Sequence, residues 1–486
     1  MGYAHGISSS ENATAIVSPL YIDSALPVII GMAPINLSED PYTAVNVPKY
    51  VYDKPSAVAA VGFCYDFENY SLCQSIYARF DVFKVAPAVL INVLDPTKHI
   101  KEVAPATLQV TLKQVNINDS GVLLDKIVVK ATDGNTTYAK DDDYVAAFNP
   151  DGTVRITLTS DGEAASAVSV SVSYTKIDPS MVTELDIIGG YDAVTKSRSG
   201  LELVSEIYPS LGVVPAQLLA PGWSHKPTVA AALIAKTVKI GGLFNVVCIT
   251  DLDTSEDGCT SFDDVKAYKD TNGYVDLNNI ACWPKVKIGS YEMYFSAVFD
   301  AVIAATDHKN EGPFKSPSNE MFKISGICLE GGEEVNLTLD EANIINAAGV
   351  VTALNFNGFR SWGNEMSCYP GNTDVKDRFI VSRRLFNWWD NNFKINFFQR
   401  VDDLSNYRLI EDICNAEDNM MKSYASTGKI AGGSMVFRAD ENPLENIVDG
   451  TIKFHRTLSG FTPAKEIQTV TEFDPTLILA ALQGGE

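Results

Sequence analysis

The feature that most constrains this chain is an abrupt change of pattern between residues 103 and 174. Stretches such as ATLQVTLKQV, TVRITLT and AVSVSVSYTKI alternate apolar and polar residues with a period of two, which is typical of strands with one buried face. The turn sequences NDSG, TDGN, NPDG and TSDG separate these stretches. Because strand and helix patterns alternate on both sides of the region, we predict a sandwich-like all-β insert, residues 103–174, inside a larger domain.

The flanking regions predict a layered α/β core made of residues 23–102 and 175–345. The apolar runs LPVIIG, APAVLINVLDP and FNVVCIT are typical of strands buried on both faces, and helix-like stretches separate them. Residues 346–462 predict a smaller α+β domain built on a small sheet. The expected fold class is therefore α/β and α+β multidomain, with an N-terminal arm of residues 1–22 and a C-terminal arm of residues 463–486.

Composition excludes several classes of function. The formal net charge of −23 repels nucleic-acid phosphates and anionic membranes, so we expect no direct nucleic-acid or membrane partner. No apolar run is long enough to cross a bilayer, and the first residues contain no Lys or Arg of the kind that opens a secretory signal. The eight cysteines are scattered singly, and the five histidines lie far apart, so neither a metal site nor a cofactor is predicted.

One segment carries a pattern of phosphoryl-transfer chemistry. In VVCITDLDTS a buried strand is followed by Asp251 and Asp253, which resembles the first motif of haloacid-dehalogenase-type phosphatases. The later motifs of that family are absent, and aspartates at strand ends are common turn residues. A magnesium-dependent phosphohydrolase using Asp251 and Asp253 is thus an alternative, but the main expectation is no catalytic residue and no enzyme activity.

Two further motifs have structural interpretations. In GWSH, Ser224 is predicted to cap the following helix rather than to form a catalytic pair with His225, since the G-x-S-x-G elbow is absent. The segment RRLFNWWDNNFKINFF places its aromatic residues on one broad helical face. We expect that face to pack into the protein core rather than to bind nucleic-acid bases.

Both ends of the chain carry apolar, strand-like segments, TAIVSPLYI at residues 14–22 and TEFDPTLILAAL at residues 471–482. Such segments have no obvious place in the domains predicted above. The exposed edge of a small sheet, however, accepts additional strands. The sequence therefore predicts that each arm pairs as an added strand with the edge of another sheet.

Six sequence blocks together resemble the tail sheath proteins of contractile-tailed bacteriophages and the related R-type tailocins. In order along the chain they are DPSMVTELDIIGG, PGWSHKPTVAAALIAKT, FRSWGNEMSCYP, DRFIVSRRLFNWWD, GGSMVFRADENP and GTIKFHRTLSGFTPAKEIQ. The resemblance covers the chain from about Pro27 onward. It implies a structural subunit that forms stacked hexameric rings around a tail tube and contracts to drive that tube through a host envelope.

The resemblance also implies partners and a location. The partners would be other copies of the chain, the tail tube protein, and the baseplate and tail terminator proteins, and the protein would lie in the virion tail after assembly in the bacterial cytoplasm. The insert would face outward. No cofactor or metal is implied.

In the resembled family the arms add strands to the sheets of neighbouring subunits. Transferred to this sequence, the exchanged residues would be Ala15, Ile16, Val17, Ser18, Glu472, Phe473, Leu477, Ile478 and Leu479. The joints that let the arms move would lie at Leu20, Ser24, Phe461 and Pro463. Lys422 and Lys429 are the candidates for contact with the tube.

Besides the phosphohydrolase, a secreted surface-layer protein or adhesin is an alternative function, which would explain the β insert and the acidic net charge.

Overall fold

The structure is a computed structural model that describes residues 23–483. Within them, the strands before the insert are β1 (Pro27–Gly31), β2 (Lys49–Val51) and β3 (Ala88–Asn92). The next six are β4 (Ile100–Gln109), β5 (Gln114–Ile117), β6 (Val128–Lys130), β7 (Tyr144–Phe148), β8 (Val154–Leu158) and β9 (Ser169–Ile177). They are followed by β10 (Gly190–Asp192), β11 (Ser197–Ser199), β12 (Gln217–Leu219), β13 (Val247–Asp251), β14 (Asn279–Cys282), β15 (Lys285–Ile288), β16 (Tyr291–Met293), β17 (Gly326–Cys328), β18 (Glu334–Val335), β19 (Val350–Asn355), β20 (Phe359–Trp362), β21 (Gly432–Phe437) and β22 (Phe454–Ser459).

The α-helices of the same residues lie between these strands. The first seven are α1 (Pro41–Ala44), α2 (Lys54–Val61), α3 (Ser71–Ile76), α4 (Glu184–Ile188), α5 (Ile207–Leu211), α6 (Pro227–Ala235) and α7 (Val265–Thr271). The others are α8 (Phe295–Asn310), α9 (Leu339–Ala347), α10 (Val375–Arg378), α11 (Ile380–Phe397), α12 (Tyr407–Ser426), α13 (Leu444–Val448) and α14 (Thr476–Leu482).

An eight-stranded sheet is the centre of the molecule, with the strand order β2-β3-β1-β12-β13-β14-β19-β20. Its six inner strands are parallel, and β2 and β20 pair antiparallel at the two edges. Every residue of β1, β3, β13 and β14 is buried. This is the burial expected of parallel strands covered on both faces, and it explains the continuous apolar runs in the sequence.

Alternate residues of β14 belong to two separate cores. In β14, Ile280 and Cys282 join the cluster that contains α8, whereas Ala281 joins the cluster that contains residues of α7 and α9. Successive side chains of a strand point to opposite faces, so α8 covers one face of the sheet and α7 and α9 cover the other. The protein is thus a mixed α/β protein with a large mixed sheet and several small antiparallel sheets.

Strands β4 to β9 form two three-stranded antiparallel sheets, β4-β9-β6 and β5-β8-β7, that share one core. In β8 the side chains of Val154, Ile156 and Leu158 are buried and alternate with exposed ones, as the period of two predicts. The first and last strands pair from Ile100 with Ile177 onward. The chain therefore leaves and re-enters the α/β region side by side, three residues outside each predicted boundary of the insert.

The prediction for the start of the C-terminal domain was wrong in one respect. We assigned β19 and β20 to the small sheet of residues 346–462, but β19 pairs parallel with β14 in the large sheet, and β20 forms its edge. The reason is that β19 is a continuous apolar run, VVTALN, with five buried residues, which suits an inner strand of a covered sheet. The C-terminal body proper is made of α11, α12, β21 and β22.

Helix α11 lies at the position where the sequence predicted a helix. Leu385, Trp388 and Trp389 are buried in a core shared with α12 and β21, and Phe393 and Phe397 pack against it. The aromatic face is therefore core, as predicted, and is not a surface for stacking nucleic-acid bases.

Candidate assembly surface

The C-terminal body contains a sheet of only two strands. Strands β21 and β22 are antiparallel, with Gly432 opposite Ser459 and Phe437 opposite Phe454. An isolated pair of this kind is marginally stable in water, and here α11 and α12 supply the packing that it needs. In the part of the chain that the structure describes, neither strand has a second strand as partner. The sheet thus presents edges at which another strand can bind.

The edge of β21 faces α12. The backbone N–H of Met435 donates a hydrogen bond to Asp418 Oδ1 of α12, at 2.8 Å, instead of to another strand. On the interior side of α12, Glu417 is buried and its Oε2 accepts a hydrogen bond from Trp389 Nε1 at 2.9 Å. Arg456 of β22 brings its Nη1 to 3.8 Å from the same oxygen. One buried carboxyl thus connects both helices and the two-stranded sheet.

Burial raises the pKa of Glu417 to about 7, and the negative charge of Asp418 adds to this, whereas the hydrogen bond from Trp389 acts in the opposite direction. Because the pKa in the folded protein lies above that in the unfolded chain, folding favours the protonated carboxyl. The resulting destabilisation is absent below the unfolded pKa and becomes complete as the pH rises through about 7.

The variant Glu417→Gln is therefore expected to gain stability over the native chain as pH increases. Gln keeps the shape of the neutral acid, so the two proteins should melt alike near pH 5, whereas at pH 8 the variant should be more stable by roughly 2 kcal/mol, which is a few degrees in melting temperature. Thermal melts at both pH values measure this. Glu411→Gln, on the exposed side of the same helix, is the matched control and should show no such pH dependence. Equal pH profiles for both variants would contradict the prediction.

The C-terminal arm is not a strand in this subunit. Thr476–Leu482 form α14, and Phe473, Leu477, Ile478 and Leu479 are all exposed. Asp474 Oδ1 accepts hydrogen bonds from the N–H and the hydroxyl of Thr476, and Leu and Ala are strong helix formers. Among the described residues the segment pairs with no strand, so local preferences decide its conformation. Strand pairing by Glu472 to Leu479 stays a prediction for an assembled state.

The N-terminal exchange residues Ala15, Ile16, Val17 and Ser18, and the joint at Leu20, lie outside the described residues. The other predicted joint of that arm, Ser24, is firmly held. Its hydroxyl donates to Asp307 Oδ2 at 2.5 Å, and its carbonyl accepts from Arg384 Nη2 at 3.0 Å. Arg384 of α11 also binds both carboxylate oxygens of Asp307 on α8, at 3.0 and 2.5 Å. We call these three residues the Ser24 clamp.

The Ser24 clamp holds Ser24 in place within the single subunit, and the predicted role of Ser24 as a joint stays a prediction for the assembled state. The side chains of Arg384 and Asp307 are 3% and 4% exposed, so the pair is desolvated and strongly directional. Sequence reasoning did not find it, because its members lie 77 and 283 positions apart along the chain. The available signal was the pair of arginines, Arg383 and Arg384, which stand close to the apolar residues Val381 and Leu385 of α11.

The two lysines proposed for tube contact differ in their surroundings. Lys429 Nζ lies 2.5 Å from Glu311 Oε2 and over the rings of Phe314 and Tyr424, so its charge is already engaged within the subunit. Lys422 is well exposed on α12, 3.9 Å from Asp418. Of the two, Lys422 is the more available for a partner.

Asp251 has a structural position that accounts for its burial. Its Oδ1 accepts the N–H of Ser296 at 2.8 Å, and its Oδ2 accepts the hydroxyls of Ser296 at 2.5 Å and Ser224 at 3.0 Å. Ser296 lies in the first turn of α8, where the helix has free N–H groups. The carboxylate thus fastens the start of α8 to the end of β13, although burial raises the pKa of Asp251.

Ser224, His225 and Asp253 likewise do not form a catalytic group. Ser224 is buried and bonded to Asp251, and the residue that caps α6 is Lys226, so the prediction of Ser224 as the cap was wrong. His225 stacks on Tyr294 with ring centroids 5.4 Å apart. Asp253 accepts hydrogen bonds from the N–H and hydroxyl of Ser255, which is a local turn.

Residues 23–483 contain no group of three or more His, Cys, Asp or Glu side chains placed to hold a metal ion. No helix among them combines the length and the apolar character needed to cross a bilayer. All eight cysteines are free thiols, and six of them are buried.

No family model matches the chain, but its sequence matches tail sheath proteins. It is 23% identical to the tail sheath protein of Burkholderia phage BcepMu over 500 residues, covering 99% of each chain. The tail sheath protein of Escherichia phage P2 is 22% identical over 295 residues, which cover 60% of this chain and 70% of that protein. The chain is thus similar over its whole length to tail sheath proteins.

Solved structures show that the tail sheath fold is shared. The sheath complex of an extracellular contractile injection system, PVC, in its contracted state gives a TM-score of 0.58 at 14% identity, covering 98% of this chain and 99% of that one. The helical sheath of the anti-feeding prophage in its contracted state gives a TM-score of 0.57 at 13% identity, covering 98% and 100%. The predicted resemblance is thus confirmed over the full chain.

The similarity to tail sheath proteins favours the structural interpretation of the sequence over the enzymatic one. Tail sheath proteins are structural proteins, so the phosphohydrolase built on Asp251 and Asp253 is set aside, in agreement with the structural bonds of Asp251. The chain thus resembles the sheath proteins of a phage tail in sequence and those of a contractile injection system in fold.

Proposed function

We propose that this chain polymerises as stacked hexameric rings around a tail tube and that contraction of the resulting sheath drives the tube through a host envelope. The observation that carries the proposal is the full-length sequence match to a phage tail sheath protein. It is supported by the fold shared with two sheaths in the contracted state. A chain of the six-fold symmetrised anti-feeding prophage baseplate has the same fold, with a TM-score of 0.56.

The apolar C-terminal arm is the proposed connector between subunits. Phe473, Leu477, Ile478 and Leu479 have exposed fractions between 53% and 77%, and a subunit that stayed alone would leave this apolar surface in water. A neighbour's two-stranded sheet offers an edge to Glu472–Leu479 and, by the same argument, to the N-terminal residues Ala15 to Ser18. An added strand with about five backbone hydrogen bonds contributes roughly 0.5–1.5 kcal/mol for each bond.

The change from the helix α14 to a strand is part of this proposal. A helix of seven residues is too short to be stable by itself, so its conversion costs little. The free energy of strand addition and apolar burial then favours the extended form once a neighbour is present. In the single subunit the strand has no such partner, and the segment is the short helix α14.

The other partners follow from the same assembly. The tail tube protein would contact the inner surface, with Lys422 and Lys429 as candidates, and the baseplate and tail terminator proteins would contact the two ends of the sheath. The insert of residues 103–174 would face outward. Assembly would take place in the bacterial cytoplasm, without a cofactor and without direct contact with nucleic acid or membrane.

Assembly of the purified chain tests the proposal. At high protein concentration we expect hollow tubes of uniform width in negative-stain electron microscopy, with six-fold symmetry in end views and sedimentation far faster than the subunit. The variants Leu112→Asp and Val168→Asp, which add charge to exposed apolar positions of the insert, should form the same tubes. A protein that stays monomeric over the whole concentration range, with or without the tube protein, would overturn the proposal.

A further inference from the structure

The segment that connects the C-terminal body to the arm makes few polar contacts with the body. Residues 460–475 contain no helix or strand, and none of their backbone groups is hydrogen-bonded to residues 23–459. Within this segment the polar side-chain contact to the body is that of Lys465, whose Nζ lies 2.7 Å from Glu365 Oε1. The direction in which the arm leaves the subunit therefore depends on this contact.

Glu365 is placed to hold a cation from the arm. Its side chain is 2% exposed and accepts two parallel hydrogen bonds from Arg378, from Nε at 2.9 Å and from Nη2 at 2.8 Å. Both cations lie over the ring of Tyr369, the Arg378 guanidinium at 4.4 Å and the Lys465 ammonium at 5.7 Å. We call Glu365, Arg378 and Tyr369 the Glu365 socket.

The socket is a rigid part of the body. The N–H of Met366 donates to the carbonyl of Arg378 at 2.6 Å, and the N–H of Ile380 donates to the carbonyl of Asn364 at 2.9 Å. These two backbone bonds flank Glu365 and join it to the start of α11. Because Arg378 already neutralises Glu365, loss of Lys465 would leave a paired buried carboxylate, and the fold would not depend on Lys465.

Between Gly460 and Lys465 the connecting segment crosses an incompletely filled space. Gly460 lies so close to α11 that a Cβ atom there would stand 2.8 Å from Leu385 Cδ2, whereas residues 461–465 line a cavity of about 540 Å³. The floor of the cavity is polar and aromatic, with Asn343, Asn364 and Trp362 among its residues. Packing beneath the connector is thus incomplete, so packing alone does not hold it in place.

We propose that the Glu365 socket binds Lys465 as a latch, which makes residues 460–465 part of the body and places the start of the mobile arm after Lys465. The joint expected at Phe461 and Pro463 then lies inside a segment that is fixed at both ends. One consequence of the latch rests on the proposed function. In the sheath, the latch would orient the arm toward one neighbouring subunit before strand pairing begins.

Limited proteolysis of the monomeric full-length chain tests the latch independently of assembly. Proteinase K cleaves flexible backbone with little sequence preference, and mass spectrometry locates each cut. Within residues 460–475 of the native chain we expect early cuts only after Lys465. In Lys465→Met, cuts within residues 460–465 should become about fivefold faster, since the population of the open segment rises with loss of a half-exposed ion pair, whereas cuts within 466–475 should keep their rate.

Three comparisons make the result decisive. Lys465→Arg keeps the ion pair and should behave like the native chain, and Glu466→Gln changes a neighbouring charge that does not reach the socket and should do the same. Sodium chloride at high concentration should screen the pair and speed cleavage at 460–465 in the native chain but not in Lys465→Met. Equal cleavage rates at 460–465 in the native chain and Lys465→Met would overturn the latch, whether or not the protein forms tubes.

Discussion

A chain that ends at Val470 is expected to fold normally and to form no tubes. The deletion removes α14 and the exposed side chains of Phe473, Leu477, Ile478 and Leu479, none of which belongs to the buried cores. The melting temperature should therefore stay within about a degree of the full-length value, because surface changes away from packed features cost little. Assembly, in contrast, should disappear, since each subunit loses one strand that would join it to a neighbour.

Point variants separate the apolar side chains of the arm from its length. Phe473→Asp with Leu477→Asp keeps all residues but places two charges where the proposed strand is buried, and it should raise the critical concentration for tubes by at least tenfold. Leu112→Asp with Val168→Asp is the matched control, because these side chains are exposed to a similar or greater degree on the insert. Ordered tubes from the truncated chain would show that the C-terminal arm does not connect the subunits.

The variant Asp307→Asn is expected to cost about 3–5 kcal/mol of unfolding free energy, which is typical of breaking a buried ion pair on one side. The charge of Arg384 would then lie in the interior without its partner, and the hydroxyl of Ser24 would lose a charged acceptor. The Ser24 clamp also fixes the first described residues to α8 and α11, so the variant should loosen the root of the N-terminal arm.

Urea denaturation followed by tryptophan fluorescence measures this effect, because Trp388 lies one turn from Arg384 on α11. Asp403→Asn is the matched control: it breaks the exposed ion pair with Arg400, and its expected cost is at most about 1 kcal/mol. Similar midpoints for the two variants would mean that the buried pair contributes no more than a surface pair does.

Local patterns of the sequence predicted much of the fold. The period of two in β8 and the continuous apolar runs of β1 and β13 depend only on which faces of a strand are covered, and the structure has strands at these positions. The aromatic face of α11 was likewise predicted from helical spacing. Such features are properties of a few consecutive residues, which is why a sequence reports them.

Features that depend on distant residues were not predictable in the same way. Ser224 has the residue type of a helix cap, but its partner is Asp251 on the neighbouring strand, and β19 joined the large sheet although it follows a change of pattern. The Glu365 socket binds a lysine 100 positions further along the chain. At the C-terminus the strand-like composition and the helical start at Asp474 compete, and only the presence of a neighbouring edge can decide between them.

The roots of the two arms are fastened to the same short piece of backbone. Arg378 is part of the socket that binds Lys465, and Arg384 binds Ser24. The two arginines lie on either side of the junction between α10 and α11. A tensile load applied to one arm therefore reaches the root of the other through this junction, without passing across the hydrogen bonds of the eight-stranded sheet. The beginning of α11 thus connects the two arms mechanically, and the eight-stranded sheet lies outside that connection.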